Sequence, residues 1–219
     1  MGVSLAHGRE APRNSDRRLL IGLTLSYAMW WTWLAIEPLN RRDWLLENLL
    51  ALTAVALLIL THRRFQLSTI SYILIAVFMT LHAVGAHYTY AEVPFGFWLK
   101  DTFGLSRNPF DRIVHFAFGA TWVYPVREGL TRLAGVRGLW AYYLPVSAIL
   151  AQSAFFEVVE AVVADLVSPE LGSVYLGTQG DEWDAQKDMA SALLGAVVTM
   201  IVTFNSAKSK AKTPILVPR

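Results

Sequence analysis

Six mostly apolar stretches, at residues 19–36, 44–61, 68–87, 112–130, 140–166 and 185–204, constrain this chain more than any other feature. A bilayer core is about 30 Å thick and takes about 20 apolar helical residues to cross. Each stretch meets or approaches that length. The reading is an all-α, polytopic membrane protein built as a six-transmembrane-helix bundle over 19–204. A basic tail over 1–18 and another over 205–219 flank it, the second expected to be loose.

Composition agrees. Apolar residues are 54% of the 219 and charged residues 16%, against about 25% charged in an average soluble domain. So small a sphere cannot hide this much apolar surface from water. Low charge and 12% aromatic residues also exclude a disordered chain. The absence of cysteine excludes disulfides, thiol nucleophiles and Cys-based zinc sites. A net charge of +2 gives no reason to expect nucleic acid as a partner. The first stretch does not read as a signal peptide, because its apolar run is long and no small-residue cleavage site follows.

The connecting segments alternate in charge. With the N-terminus cytoplasmic, thirteen of the Lys and Arg residues fall on the cytoplasmic side and six on the other. The positive-inside rule therefore places both termini in the cytoplasm, as an even number of spans requires. Two long loops, about 88–111 and 167–184, then lie on the outer face, the first across the bundle mouth. Trp30, Trp31 and Trp33, at the outer end of the first stretch, fit an interfacial aromatic belt.

Ionisable residues inside membrane spans are costly and mark function more often than not. His82 and His87 end the third stretch, with His87 read as solvated at the water line. Asp111 and His115 open the fourth at i, i+4. Glu157 and Glu160 stand at i, i+3 in the fifth, and Asp181, Asp184 and Asp188 open the sixth. Such spacings put each pair on one helical face. Under the topology above, four helices deliver these groups to the outer leaflet. The acids there must be protonated, paired with a cation such as Arg112, Arg127 or Lys187, or gathered around a metal ion. His with Asp or Glu and no Cys suits a divalent metal: Zn²⁺, Mn²⁺, Fe²⁺ or Mg²⁺. The candidate ligands are Asp111, His115, Asp184, Asp188, Asp181 and His82, with Glu157 or Glu160 as general base. Asp181 also suits a plain helix cap. Glu47 and Asn48 read as packing or interfacial groups, and Ser191 with Gly195 as a small-residue helix contact.

The runs NPFDRIVHFAFG (108–119), REGL (127–130), SAFFEVVE (153–160) and LGTQGDEWDAQKDMASALLGA (176–196) resemble the YjdF-like bacterial inner-membrane proteins. The likeness begins near His82 and extends to the end of the sixth stretch. It implies a multi-pass inner-membrane location and brings no established activity, since that family carries a domain of unknown function. More distantly, Asp111, His115, Glu157, Asp184 and Asp188 are similar in order to the polar positions of VanZ-like membrane proteins.

Three functions compete at this stage. One is a metal-dependent hydrolase acting on a lipid or lipid-linked envelope precursor. Another is a cation- or proton-coupled transporter, against which the polar groups stop in one leaflet and no inverted repeat is visible. The last is an accessory membrane protein with the polar network as fold glue, although such bonds each contribute less than about 2 kcal/mol. The bilayer is the expected surrounding, and a second copy of the chain is a candidate partner.

Overall fold

The computed structural model describes residues 14–212. The described residues form eight helices and no strand: α1 (Asn14–Leu34), α2 (Arg41–His62), α3 (Thr69–His87), α4 (Pro94–Phe103), α5 (Phe110–Leu133), α6 (Trp140–Leu166), α7 (Pro169–Leu176) and α8 (Asp184–Lys212). The two long segments expected to be loops each contain a short helix, α4 and α7. Both begin with proline at N1, where its missing N–H costs nothing and its fixed φ suits the first turn. At the far end, α8 continues past residue 204 to Lys212, into the segment expected to be loose, whose remainder lies outside the described residues. Ala207 and Lys208 are good helix formers that favour this continuation.

Four helices, α2, α3, α6 and α8, are long and apolar enough to cross a membrane. They leave large apolar side chains uncovered, among them Leu57, Ile59, Leu60, Phe155, Val162 and Ile201. Soluble proteins do not leave such surfaces open, whereas lipid tails cover them without cost. The other two long helices, α1 and α5, are more polar. In α5 the reason lies in its position: it packs against α3, α6 and α8 and forms the hub of the bundle, so its polar groups face protein.

The contact between α5 and α8 is the closest in the fold. A Cβ at Gly119 would collide with the backbone oxygen of Ala192, and one at Gly195 with Phe116 and Ala120. Gly195 thus makes the expected small-residue contact, against Phe116 and Ala120, while Ala192 rather than Ser191 meets Gly119. Thr199 Oγ1 donates across the same seam to Ala120 O at 2.8 Å. Val123, Ile149, Ala192, Ala196 and Met200 continue the seam as a buried apolar cluster.

The expected tryptophan belt is divided by the fold. Trp31 Nε1 donates to Asn48 Oδ1 at 2.6 Å, and Trp30 Nε1 to Thr80 O at 3.3 Å, so both tie α1 to the bundle. Trp33 remains exposed. His87, expected to be solvated, lies 2.7 Å from Leu34 O and links α3 to α1. At the opposite end Glu128 accepts from the backbone N–H and hydroxyl of Ser68 and from the hydroxyl of Ser71, fastening the α2–α3 turn to α5.

Candidate functional site

Acidic residues stand in the first turns of α2, α5 and α8. Asp43, Asp111 and Asp184 each lie in one of those turns. The starts of α5 and α8 lie side by side, so the positive ends of both dipoles favour negative charge in this region.

Two loops close over it. Asn108 and Gln179 hold each other: Asn108 N–H donates to Gln179 Oε1 at 2.9 Å, and Gln179 Nε2 donates to Asn108 O at 3.1 Å. Asn108 Nδ2 also donates to Val93 O, while its Oδ1 accepts from Phe110 N–H. The NPFD and TQGD runs are thus fasteners that set α5 and α8 side by side at their N-termini.

Within this frame Asp111, His115 and Asp188 converge, with one ligand atom from each lying within 4.8 Å of the others. His115 Nε2 is 3.6 Å from Asp111 Oδ1 and 3.7 Å from Glu157 Oε1. Both separations are too long for hydrogen bonds and leave room for an intervening atom. Asp188, 2% exposed, has an Oδ1 with no hydrogen-bond partner, and Glu157 Oε1 is in the same condition.

The other predicted ligands lie elsewhere. Asp184 is engaged by Arg107 in a buried ion pair, with Arg112 Nη2 at 3.5 Å. Asp181 pairs with Arg112 and Lys187, and its Oδ1 accepts from Trp183 N–H, so it acts as a turn cap and charge clamp. The Lys187 ammonium first, with the Trp183 N–H and Arg112, holds the Asp181 carboxyl down at about 2. His82 sits apart, with Nδ1 2.5 Å from Tyr90 Oη and Nε2 unpartnered. Of the expected cation partners, Arg112 and Lys187 are present, whereas Arg127 stacks on Tyr142 away from the acids.

Residue spacing does not single out Arg107 or the polar start of α2. Arg107 is 5% exposed and reaches Asp184, Asp111 and Asp181. Burial and the nearby Arg112 lower its pKa, while Asp111, Asp188 and Asp181 favour its charged form. Asp43 and Glu47, read as packing or left unremarked, are 1% and 4% exposed, and neither Asp43 oxygen has a hydrogen-bond partner. Their i, i+4 spacing at a helix start matches that of Asp184 and Asp188 and was the available signal. Tyr90 and Tyr175 complete this side. Burial first, then the carboxylates of Glu47, Asp111, Glu160 and Asp43, push the Tyr90 phenol far up, so it stays protonated.

A cavity of about 520 Å³ opens beneath these groups. Its polar end carries Glu47, His82, Tyr90, Asp111, His115 and Glu160.

A helical bundle with lipid-facing apolar helices and a buried acid–histidine cluster at one end defines a polytopic membrane protein. The chain belongs to the family described as "Predicted membrane protein (DUF2238)", which matches residues 19–209. It is similar to the inner membrane protein YjdF of Escherichia coli (strain K12), with 40% identity over 180 residues, 82% of this chain and 85% of that protein. No solved structure matches it.

Proposed function

We propose that this protein is a metal-dependent hydrolase of the bacterial inner membrane, acting on a lipid or lipid-linked envelope substrate. Asp111, His115 and Asp188 would hold one divalent cation. The observation that carries this is the convergence of one donor atom each from Asp111, His115 and the buried Asp188 within 4.8 Å, with Asp188 Oδ1 accepting no hydrogen bond. Arg112 Nε stands 4.0 Å from that oxygen, too far to hydrogen-bond, and a bound cation would offset the remaining cost of burying the carboxylate. The donor set of one imidazole and two carboxylates suits Zn²⁺, Mn²⁺, Fe²⁺ or Mg²⁺.

A divalent cation held there would supply Lewis-acid activation of water and of a phosphoryl or carbonyl oxygen. Glu157, 3.7 Å from His115 Nε2, accepts the proton of the attacking water. Glu160, which lines the cavity, returns a proton to the leaving oxygen as its bond breaks. Arg107 and Arg112 balance the surrounding acids and hold Asp184 and Asp181 away from the cation. Both termini lie in the cytoplasm and all six long helices span the bilayer, which sets the site in the outer leaflet. The charge bias of the connecting segments and the relative's inner-membrane description support this placement.

The test is elemental mass spectrometry on the full chain, purified in mild detergent without chelator. Wild type and Asp184→Asn retain a near-stoichiometric metal, whereas His115→Ala and Asp188→Asn lose it with helical content unchanged. A wild type without metal overturns the reading.

A further inference from the structure

The cavity is a slot. On α2 it runs from Glu47 to Thr61, and on α5 from Asp111 to Val126. At about 1.5 Å per residue both walls are about 21 Å long or slightly more. Below its polar end the walls are Ala51, Ala54, Leu58, Met79, Phe118 and Ile149. Thr53 and Thr61 also line it, but their hydroxyls are satisfied by their own helix, at Leu49 O and Leu57 O. Ser153 Oγ and Trp122 Nε1 are the unpartnered polar atoms of the lower walls.

The slot also opens sideways. α2 packs on α3 and α7, and α6 on α5, α7 and α8, so α2 and α6 face each other across the gap with α7 bridging them at the acidic end. Leu50 and Leu57 both line the slot and are exposed, which marks its mouth on the lipid-facing surface. A gap of this size between apolar helices is filled by lipid chains or left without contacts, and the second is costly.

We propose that the slot between α2 and α6 takes one hydrocarbon chain of a membrane amphiphile, entering sideways from the bilayer, with its polar head at the Asp111–His115–Asp188 end. The position of the head rests on the hydrolase reading; the seat of the chain rests on the slot alone. An acyl phospholipid and a polyprenyl phosphate share this chemistry.

The full chain is reconstituted in vesicles of phosphatidylethanolamine and phosphatidylglycerol, part of the latter carrying a diazirine on its acyl chain. After irradiation, label is expected on Phe118 and Trp122. Both line the slot and pack against the buried core from α5, the hub helix, so a chain must enter the slot to reach them. Ala54→Trp with Ala148→Trp fills the slot and lowers this label about tenfold, the loss expected when as few as two methylene groups are displaced. Ala56→Trp, on the outer surface of α2, leaves it unchanged. Label confined to outward residues such as Leu60 overturns the proposal, as does full labelling of the filled variant. Unlabelled polyprenyl phosphate that suppresses the signal assigns the slot to a prenyl carrier, and an undiminished signal assigns it to an acyl lipid; either supports a chain-binding slot. Asp188→Asn separates the two readings: it loses metal but keeps the label if the slot acts as described. A labelled slot in a wild type without metal sinks the hydrolase reading alone.

Discussion

Arg107, in the loop between α4 and α5, forms a buried ion pair with Asp184 in the first turn of α8, 77 residues away in sequence. The pair joins the two loops that cover the site, and it diverts one of the two acids of α8 from the His115 cluster. The region holds Asp111, Asp181, Asp184 and Asp188 against Arg107, Arg112 and Lys187, so positive charge is the scarcer element. Arg107→Met is expected to cost about 3–5 kcal/mol, because it leaves buried acids uncompensated. Asp184→Asn is expected to cost less, since Arg107 keeps Asp111 and Asp181 at 3.9 Å. Unfolding midpoints in mixed detergent measure both, and the reverse order would contradict this account of the charge balance.

The seam between α5 and α8 gives a second prediction. Gly119→Ala gains about 1 kcal/mol of helix propensity but forces a Cβ into the Ala192 backbone. Overpacking of this kind costs about 1–3 kcal/mol, so the variant is expected to unfold earlier. Gly129→Ala, in the same helix with open space around its Cβ position, is expected to be neutral or slightly stabilising. Parallel unfolding titrations decide it, and equal behaviour of the two variants would refute the close contact.

Asp181 sets a pH dependence. Its carboxyl lies below the ordinary carboxylate value, at about 2, chiefly through Lys187. A depressed folded pKa means that its contribution is complete above the unfolded value of about 4 and is lost as pH falls through 2. The loop clamp is therefore expected to be intact at pH 4. Carbon-13 NMR of labelled aspartate should show no Asp181 titration between pH 7 and pH 4, and Lys187→Met should move its midpoint upward. An Asp181 midpoint near 4 in the wild type would remove the clamp.

Topology can be tested directly because the chain has no cysteine. Glu182→Cys lies at the acidic end and Arg64→Cys in the turn at the opposite end, and both positions are exposed. In intact cells a membrane-impermeant maleimide is expected to label Glu182→Cys and to spare Arg64→Cys until the membrane is opened. The opposite pattern would place the acidic site on the cytoplasmic side.

Much of the site was readable from spacing. Asp111 and His115 at i, i+4 lie on one face of α5 because helical geometry requires it, and an acid pair on another helix had to find cations. Spacing did not reveal that Asp184 and Asp188, also at i, i+4, have different partners. That depends on Arg107, whose loop position carries no periodic signal. Asp43 and Glu47 have the right spacing, but Glu47 reads as packing or interfacial and Asp43 does not stand out, because one helix alone does not show which side meets the protein. The same ambiguity made Trp30 and Trp31 look like a lipid belt, when they hydrogen-bond to Thr80 and Asn48.

By itself the sequence determined that this chain is a helical membrane protein with costly acids and histidines concentrated near particular helix ends. Those properties follow from apolar length and from i, i+3 and i, i+4 periodicity, which are local. The tertiary structure alone decided which of those groups share a site: Asp111, His115 and Asp188 together, Asp184 and Asp181 held by arginines, and Glu47 brought in from α2. It also decided that α2 and α6 stand apart around a slot. Ion pairing and cavities depend on the approach of elements distant in sequence, and in this fold α7 and the Asn108–Gln179 fastening set that approach.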